Sequence, residues 1–206
     1  LSKWNITIDV VQTIEIHRQL YNIDVIADIN NSITLVIEDK IGTNSHSNQL
    51  QRYEDAIETN CKNQLIAYIY LKIHDFLPED DLQKSSFKIF TRSDMLDVFA
   101  TLPKSNNYLL DSFHEHLLTL ENKACAYQSS KINDWTWHAI QKFYSILNIA
   151  YPDLKGSYVA NPRGGFLGCW WSFNGFMNAE VFLQMETTIT NPVTTTLCFK
   201  IAEASE

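Results

Sequence analysis

Three charged residues in "NIDVIADINNSITLVIEDK" stand where apolar ones would pack at lower cost: Asp24, Glu38 and Lys40. Two carboxylates brought close repel unless one is protonated or a cation lies between them. A hard divalent ion such as Mg2+ suits such a pair, because it binds one or two carboxylates and completes its shell with water and phosphate oxygens. An ammonium beside it, here Lys40, can orient or help deprotonate a water, or stabilise charge developing on a phosphate. The ion itself would act as a Lewis acid and lower the pKa of a bound water. Glu-x-Lys triplets also flank many ordinary strands, so a solvated salt-bridged edge is the alternative.

This chemistry makes a demand on the elements. Side chains two apart on a strand share a face, so Glu38 and Lys40 point one way while Ile33, Leu35 and Ile37 are expected to point the other way into a core. Asp24 begins the preceding strand, and its face depends on hairpin register. A three-residue loop, Asn30-Asn31-Ser32, sets Asp24 opposite Glu38, with Cβ atoms about 4.5–5.5 Å apart. A two-residue loop sets it opposite Ile37 and destroys the site.

Around this hairpin the first part of the chain alternates as strands: "ITIDVVQTIEIH", "NIDVIADI", "ITLVIEDK" and "QLIAYIYLKI". Leu50, Tyr53, Glu54 and Ile57 fall at helical spacing before the last of these, with Ser45 or Ser47 as N-cap candidates. The order is strand, strand, strand, helix, strand. Beyond "FLPEDDLQKSS" a short strand "FKIFT" precedes helices from Ser93, near 107–122 and from Asp134. Strand-like runs "SYVA", "FLGCWWSF", "AEVFLQME" and "TTLCFKI" follow. The fold class is α/β, with one part over residues 1–85 and an α+β part over 86–206 packed on it.

Composition narrows the function classes. The chain has 206 residues, 45% hydrophobic and 19% charged, which is ordinary globular usage. No stretch resembles a membrane-spanning helix, and "LSKWNITIDV" shows neither a secretory signal nor an initiator Met, as in an excerpt of a longer chain. Cys61, Cys125, Cys169 and Cys198 form no CxxC pair, so we expect reduced thiols in a cytoplasmic protein. The net charge of −8 opposes broad non-specific nucleic-acid binding. Residues 1–76 carry 6 basic and 10 acidic side chains, and any phosphate-binding surface must be local or supplied by a partner. No GxxxxGK[ST] loop, GxGxxG fingerprint or Ser/His/Asp arrangement is recoverable.

With "NIDV", "IEDK" and "NQLQRY" in hand, the sequence resembles the PD-(D/E)XK nuclease superfamily and its restriction-endonuclease-like core, a mixed sheet flanked by helices. It is closest to a mostly bacterial branch in which "IENKI" precedes a "QL..Y" helix; here "IEDKI" stands in its place. Similarity extends into "FTRSDML", "AIQKFYSIL", "YVANPRGGFLGCWW" and "VFLQME". The resemblance implies Asp24 and Glu38 as metal ligands, Lys40 assisting hydrolysis and Gln49 supporting the site. It implies Mg2+, with Mn2+ as an alternative, and nucleic acid as substrate, DNA favoured over RNA. The backbone carbonyl of Asp39 is a third ligand candidate. The first core helix of the superfamily is not evident before residue 8, and Ile23 replaces the proline of the superfamily name.

Other residues carry weaker signals. Tyr53 shares a helix face with Gln49 and reads as a core aromatic. His17, Arg18, His46, Arg52 and Arg163 are substrate-contact candidates, each also explained by ordinary exposure. Trp137, Ile140, Tyr144 and Leu147 follow helical spacing and read as core. Two competing functions remain: a catalytically inactive nuclease-fold module that binds nucleic acid or a protein partner, or a protein-interaction domain with Arg163 and the Trp-rich strands as its contact face; the C-terminal part is the candidate surface for a homodimer or a protein partner.

Overall fold

The turn decides the hairpin. Asn30 and Asn31 both take left-handed backbone angles (φ 53°), a region Asn enters more readily than most side chains. Ser32 N–H closes the turn on the Ile29 carbonyl at 3.1 Å. Ile29 therefore pairs with Ile33, Ala27 with Leu35 and Val25 with Ile37. The loop has three residues.

The structure is a computed structural model that describes residues 2–40, 48–61, 64–75, 80–102, 106–162, 164–176, 179–188 and 193–203. The chain divides into two compact units, Leu1–Ile73 with Pro78–Leu102, and His74–Leu77 with Pro103–Glu206. The first unit holds β1 (Ile14–Arg18), β2 (Val25–Ile29), β3 (Ile33–Asp39), α1 (Gln49–Asn60), β4 (Leu65–Lys72), the single turn α2 (Asp80–Gln83), β5 (Lys88–Thr91) and α3 (Arg92–Thr101). Its sheet runs in the order β1-β2-β3-β4-β5. The β1–β2–β3 pairings are antiparallel, and the β3–β4–β5 pairings are parallel. This is the expected α/β class with a mixed sheet. Because β5 hydrogen-bonds to β4, the first unit continues past the boundary expected at residue 85.

Both faces of the sheet are covered. Ile26, Val36, Tyr68 and Tyr70 pack against Leu50, Tyr53 and Ile57 of α1, whose i, i+3, i+7 spacing makes one apolar stripe. On the other face Ile29, Ile33 and Ala67 cluster with Ile6, flanked by Trp4, Ile8 and Leu35. The larger core thus lies on the Val36 and Glu38 face, not only beneath Ile33 and Leu35 as expected. The consequence for the site is burial.

The long first strand expected from residue 6 is shorter in the structure. Only Ile14–Arg18 pair with β2. Ile6 and Ile8 pack against the sheet face, and the Asn30 side chain captures the segment that follows. Its amide donates to the Val10 carbonyl at 2.7 Å, and its Oδ1 accepts from Gln12 and Thr13 N–H at 2.8 and 3.1 Å. Alternation along this stretch reflects packing on the sheet, not membership of it.

The second unit contains α4 (Tyr108–Cys125), α5 (Trp137–Ala150) and an antiparallel sheet of β6 (Lys155–Val159), β7 (Phe166–Phe176), β8 (Ala179–Thr188) and β9 (Thr194–Glu203) in that order. Thr136 caps α5 by accepting from Ala139 N–H. Ile140 and Tyr144 pack with Leu154, Leu167 and Cys169, flanked by Trp137 and Leu147. That is the core reading of the α5 aromatics. Trp170 and Trp171 are half-buried, and Trp171 meets Tyr151 edge-on. Leu197, Phe199 and Ile201 of β9 alternate along the strand, so they share one face, and all three are exposed. Among the described residues none of the four cysteines forms a disulfide. Among the described residues no helix is long and apolar enough to cross a membrane.

Candidate active site

Register places the first two acids. Continuing the Val25–Ile37 pairing outward by one residue sets Asp24 across from Glu38. The Asp39 N–H on β3 then donates to Asp24 Oδ2 at 2.9 Å, tying the two strand ends together. Glu38 lies on the face covered by α1 and is 2% exposed; Lys40, two residues on, is 9% exposed. Lys40 N–H donates to the Leu71 carbonyl at 3.0 Å, which carries the β3–β4 pairing beyond Asp39.

Side-chain contacts close a ring. Lys40 Nζ lies 2.7 Å from Glu38 Oε1 and donates to Gln49 Oε1 at 3.0 Å. Gln49 Nε2 donates to the same Glu38 Oε1 at 2.9 Å and meets the Tyr53 hydroxyl at 2.6 Å. The ammonium can only donate, so the Gln49 amide must turn its oxygen to Lys40 and its nitrogen to Glu38 and Tyr53. Tyr53 passes its own proton to the Asn22 carbonyl at 2.8 Å. Gln49 and Tyr53 lie one turn apart, and the apolar stripe of α1 clamps both over the strand ends.

Glu38 Oε2 is different. It is buried and has no hydrogen-bond partner among the described residues. A buried polar atom without a partner costs about 1–3 kcal/mol, more when charged. Burial is the largest influence on this carboxyl and pushes its pKa up; the Lys40 hydrogen bond pulls it down, and Asp24 pushes it up again. Asp39 is also raised, first by burial and then by the Asp24 charge, with Lys40 opposing. The Tyr53 phenol is raised chiefly by burial.

This donor set fits a small hard cation. Glu38 Oε2 is a buried oxygen with no hydrogen-bond partner among the described residues, and the neighbouring Asp24 charge raises the cost of ionising Glu38 without a positive ion. Among the described residues no group of three or more His, Cys, Asp or Glu side chains gathers for a metal. A cation here would take its remaining ligands from backbone, water and substrate, as Mg2+ commonly does.

The weaker candidates separate. His17 shares its strand face with Glu15, and its Nε2 lies 3.7 Å from Glu15 Oε1 and 3.6 Å from Asp28 Oδ2. Asp28 also accepts from the Thr34 hydroxyl at 2.6 Å. The His17 ring thus reaches toward Asp28, although its backbone pairs with Ile26, two residues from Asp24. Arg18 pairs with Val25 on exposed β1, and Arg52 is exposed on α1. His46 and Arg163 lie outside the described residues, as do Ser45 and Ser47. The described N-cap of α1 is Asn48, with φ 54° and no side-chain capping bond.

Two residues near the site escape a reading by residue type. Tyr53 does more than fill the core, because its hydroxyl joins Gln49 to the chain just before Asp24. Lys72 is a second buried lysine, 5.8 Å above the Tyr70 ring. Tyr70 pairs with Glu38 and is fully buried. The parity of "AYIYLK" was the available signal, since it puts Tyr68, Tyr70 and Lys72 on the face of Glu38.

Comparison with known proteins gives the same direction. No curated protein and no solved structure matches the chain. A family model described as the PD-(D/E)XK nuclease superfamily matches residues 5–143, well over half of the sequence. That span includes the whole five-stranded sheet, α1 and the Asp24, Glu38, Lys40 and Gln49 cluster. The chain belongs to the PD-(D/E)XK nuclease superfamily.

Proposed function

We propose that the chain is a Mg2+-dependent nuclease that hydrolyses phosphodiester bonds of nucleic acid, DNA in preference to RNA, with Mn2+ able to replace Mg2+. The observation that carries this reading is the state of Glu38. One of its oxygens is held by Lys40 and Gln49, and the other is buried with no hydrogen-bond partner among the described residues, in a carboxyl influenced by Asp24. Asp24 and Glu38 would hold the ion, with the Asp39 backbone carbonyl as third ligand. Bound there, the ion supplies Lewis acidity and an acidified water.

The remaining work falls to this chain's side chains. Lys40 Nζ orients the attacking water or meets charge developing on the phosphate. Gln49 holds Lys40 and Glu38 at fixed distances, which limits the rotamers either can sample. Arg18 and Arg52 are retained as phosphate contacts on their exposure. His17 is a weaker choice, since two carboxylates already flank it. Cysteines outside any disulfide among the described residues suit a bacterial cytoplasm, the setting we assign.

Cleavage assays on supercoiled DNA and on RNA, with Mg2+ or with EDTA, test this reading. Cleavage with Mg2+ that disappears with EDTA and in Glu38→Gln is the expected result. A chain that cleaves neither substrate and takes up no divalent ion would remove the enzyme reading. The second reading is a catalytically inactive module of the same fold that binds nucleic acid or a protein partner, the partner being the case the surface favours. It is favoured by the exposed Leu197, Phe199 and Ile201 stripe on β9 and by the net charge of −8. An intact Lys40 and Gln49 around Glu38 weigh against it, because recognition alone requires neither.

A further inference from the structure

The approach to Asp24 is a tight elbow with unusual backbone. Gln19, Tyr21 and Asn22 all take left-handed angles, φ 56°, 58° and 63°. Left-handed backbone is disfavoured for residues with a Cβ and persists where the surroundings impose it, often at functional sites. Here the imposing contacts are visible. Asn22 N–H returns to the Gln19 carbonyl at 3.3 Å, and Ile23 N–H returns to Leu20 at 3.0 Å. The Asn22 carbonyl accepts from Tyr53 at 2.8 Å.

Gln19 sits across from Asp24. Arg18 pairs with Val25, and Gln19 N–H extends that ladder to the Asp24 carbonyl at 3.3 Å. Its side chain then donates from Nε2 to Asp24 Oδ1 at 3.1 Å. A carboxylate only accepts, so the amide must present its nitrogen. With Asp39 N–H on Oδ2, the Asp24 carboxylate has, among the described residues, one donor on each oxygen. Two donors, Gln19 just past β1 and Asp39 in β3, fix the plane of the carboxylate and leave a lone pair on each oxygen for a cation.

We infer that Gln19 is a positioning residue for the metal ligand Asp24, acting through its side-chain amide; the inference rests on the ligand role proposed above for Asp24. Partners that orient a ligand usually matter about 10–100-fold in metal affinity. The left-handed backbone separates this role from a structural one. Gly adopts φ near 56° without a Cβ penalty, so Gln19→Gly removes the amide while relieving the backbone. Gln19→Met keeps the bulk and removes only the donor.

The test is calorimetric titration of the full chain with Mn2+, paired with thermal melting. Both variants should bind Mn2+ about 10-fold more weakly than the wild type, while Gln19→Gly melts no lower than the wild type. Wild-type Mn2+ affinity in either variant overturns the inference and leaves Asp24 as a ligand. A parallel fall in melting and affinity for Gln19→Gly also overturns it, since that is the signature of a general structural role. If the wild-type chain itself binds no Mn2+, the ligand role of Asp24 fails, and the role of Gln19 fails with it.

Discussion

At the scale of single residues, the site is a contest over one carboxylate. Glu38 Oε1 is held by Lys40 and Gln49, whereas Oε2 has no partner among the described residues. Burial lifts its folded pKa above the ordinary 4.5, and Asp39 shifts the same way from 3.8. A raised folded pKa contributes stability that is fully present below the unfolded value and is lost as pH rises through the folded value. The melting temperature of the metal-free protein should therefore fall as pH is raised upward from about 4.5. Mg2+ or Mn2+ should restore it, and more strongly at neutral than at acidic pH, because protons compete with the ion. Scanning calorimetry across pH with and without Mn2+ checks this; a metal-free melting temperature that climbs through that window would contradict it. Asp24, Glu38 and Lys40 could be read from the sequence because strand parity and a three-residue turn fix their faces. Gln19 could not, because its role depends on a left-handed backbone that no residue type announced.

At the scale of elements, α1 presses Gln49 and Tyr53 onto the strand ends. Its stripe of Leu50, Tyr53, Glu54 and Ile57 was legible from helical spacing, although spacing gave no partner for the Glu54 carboxylate. The structure buries Glu54 and lets it accept from Ser86 N–H at 2.5 Å. Ile57, fully buried, anchors the far end of the helix. Ile57→Ala should cost about 2–5 kcal/mol in urea unfolding. A cost near zero would mean that α1 is not held by this core. Tyr53→Phe is a finer probe, since it keeps the ring and removes the hydroxyl between Gln49 and Asn22. It should cost about 1 kcal/mol of stability and weaken Mn2+ binding, whereas a purely packing role for Tyr53 predicts unchanged binding. The opposite error occurred in the first strand. Residues 6–13 alternate like a strand, yet Asn30 holds residues 10, 12 and 13 by side-chain bonds that periodicity cannot reveal.

At the scale of the molecule, two units divide the chain, and the candidate site belongs wholly to the first. The unit runs past residue 85 because β5, legible as the strand "FKIFT", pairs with β4, and which strands pair leaves no mark in periodicity. A net charge of −8 limits the affinity available from phosphate contacts alone. Binding to DNA with Ca2+ in place of Mg2+ should show a shallow salt dependence, well short of the 10³–10⁵-fold loss of proteins making about 6–10 phosphate contacts. A steep dependence would point to a basic surface outside the described residues. The most direct test of the central claim is nicking of supercoiled DNA by Lys40→Ala beside the wild type, each checked for the same melting behaviour. If Asp24, Glu38 and Lys40 form one metal-dependent centre, the wild type nicks with Mg2+ and the variant loses at least about 100-fold in rate. Equal nicking by a folded Lys40→Ala protein would contradict the account.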